Sequence, residues 1–425
     1  MDTVNSRRKF LLSSSALLLA SASASGLAVA QNSGTPLSAI AAPPIDNEDY
    51  WQMVRGQFSF VETAVPMNAA NLCPSFRAVA ENVALMTADI DRDCSFNNRA
   101  KFSTLLEDAR SQIAQQLKVS TDEVALVRNT SEANNIINNG LQLQAGDEVL
   151  LWNENHPTNN VAWDVRAARY GLKISRVTTP QGPIETTALL NAFTSKFNAQ
   201  TKVLAITHVS NVSGIKLPVA ELVKAAHALG IYVHLDGAQT WGAMALDLRA
   251  LGVDSFSASA HKWYMGPKEV GLLYVKESNI ERIWPGVVAS GWGSGALTRL
   301  AGARKFESLG QRDDAALAGL SAAAAIHNMI GASRIEQRIY FLAQRLKAGV
   351  TDLGLQLLTP MDPALSFGVC VIQAPAEQAG EISNRLYAEH GIAGAGTGGV
   401  RLCPAIYNTL SHIDRAVSGL KALLT

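Results

Sequence analysis

The feature that most constrains this chain is a series of short apolar runs that each stop on a polar cluster. They read "EVALV" (123–127), "GDEVLLW" (146–152), "TKVLAITHVS" (201–210), "IYVHLDGAQT" (231–240), "SFSASAHK" (255–262) and "GLLYV" (271–275). Four to eight residues is too short for a core helix. In most of them the apolar positions are successive rather than alternate, as expected of strands covered on both faces. Between them lie helical patterns such as "TSEANNIINNGL", with Thr130 or Ser131 as N-cap, and "PVAELVKAAHALG", with Gly230 as its stop. Strands alternating with helices predict an α/β fold built on a mainly parallel sheet.

The pattern changes after residue 300. Ala/Leu-rich helices run to about Leu353, shorter strands follow at "FGVCVIQA" and "GVRLCP", and a last helix starts near Leu410. This part reads as a smaller α/β domain. The expected division is a leader over 1–30, an extended N-terminal arm over 31–65, a large domain over 66–300 and a small C-terminal domain over 301–425.

The leader reads as an export signal. "SRRKFLL" precedes an Ala/Ser-rich apolar stretch that ends in Ala28-Val29-Ala30, a small-residue cleavage pattern. The paired Arg7-Arg8 before Phe10-Leu11 resembles a twin-arginine signal, which implies the twin-arginine translocase as a partner and the periplasm as destination. That route carries folded proteins, so a cofactor bound in the cytoplasm would travel with the chain. Lys plus Arg balance Asp plus Glu at 36 each, which gives no electrostatic reason to expect nucleic acid. The four cysteines, Cys73, Cys94, Cys370 and Cys403, show no C-x-x-C spacing. A metal site is not expected; an oxidising compartment permits disulfides, with three possible pairings, and free buried thiols are the plainer reading.

In an open α/β sheet, ligands collect beyond the carboxyl ends of the strands. Here those ends carry Thr130-Ser131, His156, Asn211, Asp236 with Gln239, and Ser259-His261-Lys262. Asp236 and Lys262 on neighbouring strand ends could be a plain ion pair or an N-cap and a solvated charge. They could also bracket pyridoxal 5′-phosphate, which needs a lysine for its aldehyde and an acid on its ring nitrogen. "RNTSEANN" offers hydroxyls and N–H groups at a helix N-terminus, a natural phosphate site.

Taken in order, "RNTSEANN", "NENHPTNNVAW", "THVSNVSG", "HLDGAQTWGAM…FSASAHKWYMGPKEVGLLYV" and "VRLCPAIYNTLSHID" resemble the signatures of class-V aminotransferase-fold enzymes, over nearly all of the chain after the leader. The resemblance implies fold type I of the PLP-dependent transferases: a large domain with a mainly parallel sheet of the seven-stranded kind, and a smaller C-terminal α/β domain. It implies a homodimer. It also implies roles. Lys262 forms the covalent link to the cofactor, and Asp236 binds the ring nitrogen. Gln239 and Asn211 contact the phenolic oxygen or nearby substrate. Thr130, Ser131, Ser259 and His261 hold the phosphate, and His156 stacks on the ring. Arg401 binds a substrate carboxylate, while Trp263 and Tyr264 pack.

Two departures narrow the choice. Desulfurases of this family carry a catalytic cysteine before the C-terminal arginine, whereas "HGIAGAGTGGVRL" is short and has none. The Gly-Thr that reaches a partner subunit's phosphate appears as Gly310-Gln311. The pattern is nearest the isopenicillin-N-epimerase-like branch. With the export signal, it resembles the periplasmic tailoring enzymes of the siderophore pyoverdine. That implies a small-molecule or siderophore-peptide substrate with a free α-carboxylate, transaminated or oxidatively decarboxylated at its glutamate. An epimerase or racemase and a C–S lyase are the open alternatives.

Overall fold

The computed structural model describes residues 44–289 and 302–424. The leader over 1–30, and with it the paired arginines, lies outside the described residues.

Among the described residues the large sheet has seven strands in the order β2-β8-β7-β6-β5-β3-β4. Strand β1 (Val65–Pro66) comes before them in the chain. The sheet strands are β2 (Val124–Val127), β3 (Glu148–Trp152), β4 (Lys173–Val177), β5 (Thr201–Thr207), β6 (Tyr232–Asp236), β7 (Ser255–Ser259) and β8 (Gly271–Val275). Strand β8 is antiparallel to both of its neighbours, and the other pairings are parallel. Each apolar run anticipated from sequence is a strand, and five of the six are buried at every position. Strand β4, "KISRV", has no such run in the sequence. It is an edge strand with three polar residues in five, so its pairing with β3 rather than its composition defines it.

Two apolar layers sandwich this sheet. One includes Leu204, Ile206, Val233, Leu235, Phe256 and Ala258. The other includes Val203, Ala205, Tyr232, Leu273 and the helix residues Ala133 and Ile137. Strand residues alternate between the layers, as the pleat requires.

The small-domain sheet has the order β11-β12-β9, from β9 (Cys370–Ile372), β11 (Ala395–Gly396) and β12 (Val400–Leu402). β10 (Ile392–Ala393) pairs in parallel with β1. Helix Ala332–Asp352, helix Ala376–His390 and helix Leu410–Leu424 cover these strands. Helix Asp314–Ile330 packs instead on helices Arg77–Arg92 and Lys101–Leu117, which cover the large domain.

Three expectations need correction. Residues 31–65 are not wholly extended, because Glu48–Arg55 is a helix. Asn47 caps it by accepting the Tyr50 N–H at 3.0 Å, and Trp51 and Val54 bury its inner face. Its Glu48 binds the buried Arg338 at 2.6 Å and accepts the Leu410 N–H at 3.1 Å, so the segment is docked to the small domain. The second correction concerns helix Thr130–Gly140. Its N-cap is Asn129, which accepts the Glu132 N–H, and this releases the Thr130 and Ser131 hydroxyls from capping. Third, all four cysteines are free, but Cys94 is exposed, since it sits between two surface helices.

Candidate active site

Strand β6 has Tyr232, His234 and Asp236 on one face, and register pairs His234 with Ser255 and Asp236 with Ser257. The carboxyl end of β6 therefore presents Asp236 beside the carboxyl end of β7, from which Ser259, His261 and Lys262 follow. The turn after Asp236 demands glycine: a Cβ on Gly237 would lie 1.9 Å from the Phe256 ring. The turn closes through Gly237 N–H to Ser257 O at 2.8 Å and Ala238 N–H to Asp236 Oδ1 at 3.0 Å. Asp236 Oδ2 accepts a second bond, from Asn134 Nδ2 at 2.9 Å. Only 2% of the acid is exposed, so these donors replace the water it has lost.

Lys262 shares this environment. Its amine makes no hydrogen bond or ion pair among the described residues. Burial lowers its pKa, Asp236 opposes the fall, and Arg401 adds to it. A lowered pKa raises the share of the unprotonated amine, which is the nucleophilic form. Two non-glycine residues in the loop after it, Met265 and Glu269, have φ of 50° and 54°, a strained conformation of the kind that clusters at functional sites.

The phosphate-site residues split. Thr130 N–H donates to Ser259 Oγ at 2.8 Å, and the two hydroxyls meet at 2.7 Å. The helix N-terminus and the end of β7 are thus joined through groups that can turn toward an anion. Ser131 leans the other way, its hydroxyl 3.5 Å from Thr158 Oγ1. The His261 pKa is pushed down to about 4 by burial first, then by Lys262 and Lys268, so its ring is neutral near pH 7.

His156 caps helix Pro157–Tyr170, and its Nδ1 accepts the Thr158 N–H at 3.2 Å. That bond leaves the proton on Nε2. Burial lowers its pKa, with Lys262 and Arg401 adding and Asp236 opposing. The histidine, the lysine, the acid and the arginine thus sense one another, although they come from four separate segments.

Arg401 on β12 is 4% exposed. Its Nη1 donates to Asn211 O at 2.7 Å and its Nη2 to Asn68 Oδ1 at 3.0 Å, while its buried Nε has no partner. A guanidinium tethered by two neutral acceptors keeps its charge and free N–H groups for a carboxylate. Asn211 therefore contributes its carbonyl to the arginine. Gln239 is also committed: Nε2 donates to Ala70 O at 3.1 Å, and Oε1 accepts Trp263 Nε1–H at 2.8 Å. One Nε2 proton remains for a ligand. Trp263, expected only to pack, fixes the orientation of Gln239. Tyr264 packs as expected, stacked between Trp241 and His327 with centroids 4.0 and 4.2 Å away.

Sequence reasoning missed Asn68 and Asn134. Asn68 reaches the site because the segment after β1 pairs with β10 and with Cys403 just past β12, through Met67 N–H to Ala393 O and Cys403 N–H to Met67 O. The phrase "MNAANLCP" held the only signal for it. Asn134 lay in a helix whose several asparagines gave no sign of which one faces the sheet.

The donor set fits pyridoxal phosphate: a lysine with a lowered pKa, a buried carboxylate on the next strand, hydroxyls at a helix N-terminus, and an orphaned buried arginine N–H for a substrate. Comparison with known proteins agrees. The sequence profile "Aminotransferase class-V" matches residues 77–404. Isopenicillin N epimerase of Streptomyces clavuligerus is 28% identical over 390 residues, 88% of this chain and 98% of that protein. A cysteine desulfurase of Escherichia coli O9:H4 is 30% identical over 352 residues, 76% of this chain and 84% of that protein. Among solved structures, apo cysteine desulfurase from Thermococcus onnurineus superposes with a TM-score of 0.78 at 21% identity, covering 88% of this chain and 98% of that one.

Proposed function

Because the chain belongs to the class-V aminotransferase family, and is therefore a PLP-dependent enzyme, we propose that it acts at the Cα of an amino-acid moiety whose α-carboxylate is free. The observation that carries this is Arg401, held by Asn68 and Asn211 within electrostatic reach of Lys262 and His156. The substrate we favour is the glutamate side chain of the siderophore pyoverdine, met in the periplasm. The outcome there would be transamination to the α-keto acid with an amino acceptor, or decarboxylation to the succinamide with an oxidant.

When bound, pyridoxal phosphate supplies the electron sink for the Cα bond that breaks. The chain's residues do the rest. Lys262 would hold the cofactor, and its amine would be the group placed to move a proton at Cα. Asp236 holds the proton on the ring nitrogen. Thr130, Ser259 and His261 hold the phosphate, with Ser131 beside them. His156 covers the ring, and Gln239 offers its free N–H. Arg401 would orient the α-carboxylate, and so would set which Cα bond is labilised.

The twin-arginine-like leader supports folded export with the cofactor in place and thus a periplasmic enzyme. A homodimer goes with this reading. In the chain itself Gln311, where the sequence pattern has threonine, accepts a bond from Arg99 at 2.8 Å.

A desulfurase-like role finds little support in the thiols. The segment before Arg401 folds into β10 and β11 and contains no cysteine. Cys403 is fully buried, and the Cys73 pKa is pushed up to about 12 by burial, which makes a poor nucleophile. The second reading is epimerisation at Cα, favoured by the epimerase relative that spans nearly the same length. It would use Lys262 on one face of Cα and His156 Nε2–H on the other.

The deciding experiment is mass spectrometry of siderophores from a strain lacking the gene. A mass change confined to the glutamate side chain supports the tailoring reading, whereas unchanged siderophores refute it.

A further inference from the structure

The face of β6 and β7 under helix Thr130–Gly140 is polar where a helix–sheet interface is ordinarily apolar. It carries His234, Asp236, Ser255 and Ser257, with exposures between 0 and 2%. Asn134, 1% exposed, projects onto this patch from the helix and joins its members. Asn134 Nδ2 donates to Asp236 Oδ2 at 2.9 Å. Asn134 Oδ1 accepts from Ser257 Oγ at 2.5 Å and meets His234 Nε2 at 2.9 Å. On its other side, His234 Nδ1 meets Ser255 Oγ at 2.8 Å.

These contacts fix one set of proton positions. Asp236 Oδ2 can only accept, so the Asn134 amide must turn its NH2 toward the acid and its oxygen toward His234. That oxygen requires a proton on His234 Nε2. The neutral ring then has a bare Nδ1, which accepts from the Ser255 hydroxyl. Full burial holds the ring neutral, its pKa pushed down to about 4. The donors therefore run in one direction, from Ser255 through His234 and Asn134 to the carboxylate. A flipped Asn134 would set its oxygen against the acid, and His234 with Ser257 prevents the flip. Every member except Asp236 is uncharged, so the network orients the carboxylate without neutralising it. In a buried, satisfied network such bonds are strong and directional.

We propose that Asn134, oriented by His234, is the positioning residue that holds Asp236 aimed at the cofactor's ring nitrogen. This rests on the assignment of Asp236 to that nitrogen. The alternative is that the patch only ties the helix to the sheet.

The test uses the holoenzyme reconstituted with pyridoxal phosphate labelled at the ring nitrogen, read by nitrogen NMR, together with steady-state kinetics. The wild type should show a protonated nitrogen. Asn134→Leu should move the signal toward the unprotonated value and lower kcat roughly tenfold or more, as loss of one hydrogen bond to a charged group implies, with KM changed much less. His234→Leu should act in the same direction, and His234→Gln, which keeps a donor for Asn134 Oδ1, should restore the wild-type signal. If Asn134→Leu does not fold, the two His234 variants decide. A wild-type nitrogen signal in folded Asn134→Leu, or in both His234 variants, overturns the proposal in favour of a packing role. Asp236→Asn separates the two levels: if it too leaves the nitrogen protonated, the assignment of Asp236 fails, and this inference with it.

Discussion

Replacing Arg401 by lysine keeps the positive charge and removes the fork, which isolates what the geometry contributes. Two of the five guanidinium N–H groups are used on Asn211 O and Asn68 Oδ1, at 2.7 and 3.0 Å, and the buried Nε–H is unpartnered. A lysine ammonium reaching the same spot cannot satisfy both tethers and still meet a carboxylate with two parallel donors. Loss of one charge-assisted bond to substrate corresponds to about 1.5–3 kcal/mol, or roughly 10–150-fold in kcat/KM. The assay is steady-state kcat/KM for an amino donor and for its α-amide, in wild type and Arg401→Lys. The wild type should strongly prefer the acid, and the variant should lose on the acid while changing little on the amide. An equal loss on both would refute the clamp and make Arg401 a structural residue.

Other consequences concern charge and pH. The Arg401 charge helps to lower the Lys262 pKa, so Arg401→Met should raise it. The pH midpoint for rebinding cofactor to the apo enzyme, below the ordinary lysine value of about 10.4 in the wild type, should move upward; an unmoved midpoint would contradict the coupling. His208, His234 and His327 have pKa values pushed down to about 4 by burial. The unfolded chain binds more protons than the native one between about pH 6.5 and 4. Stability should therefore fall as pH drops through that window, by up to about 1.4 kcal/mol per pH unit for each histidine. A urea midpoint that is flat there would refute their neutral burial. Glu48→Gln should destabilise by roughly 1–3 kcal/mol, since it weakens the partner of the fully buried Arg338. Urea unfolding would show it, and an unchanged midpoint would mean that the N-terminal helix is not a latch.

Much of the site was legible because its residues punctuate apolar runs. Asp236, Ser259 and Lys262 each stand at or just past the end of a buried strand; any one alone could be a cap or an ion pair, and it is their recurrence at neighbouring strand ends that points to a ligand. Thr130 and Arg401 were legible from motif order. Asn134 and His234 were not, because their meaning depends on tertiary register: one is an asparagine among several on a helix, the other a histidine inside a strand. Only the pairing of β6 with β7 beneath the helix shows them meeting. Asn68 was hidden for a similar reason, since it lies 333 residues from the arginine it tethers. Strand β4 and helix Glu48–Arg55 escaped because an edge strand and a docked surface helix carry mixed polar sequences that neighbours, not composition, specify.

The central claim is that Lys262 is the cofactor's lysine, and borohydride reduction tests it most directly. Purified protein, reduced, digested and sequenced by mass spectrometry, should carry one phosphopyridoxyl group, on the peptide that contains Lys262. Lys262→Ala should carry none and should lose the near-visible absorbance band. An adduct on another lysine, or a reduced wild-type protein with no adduct after incubation with pyridoxal phosphate, would contradict the account.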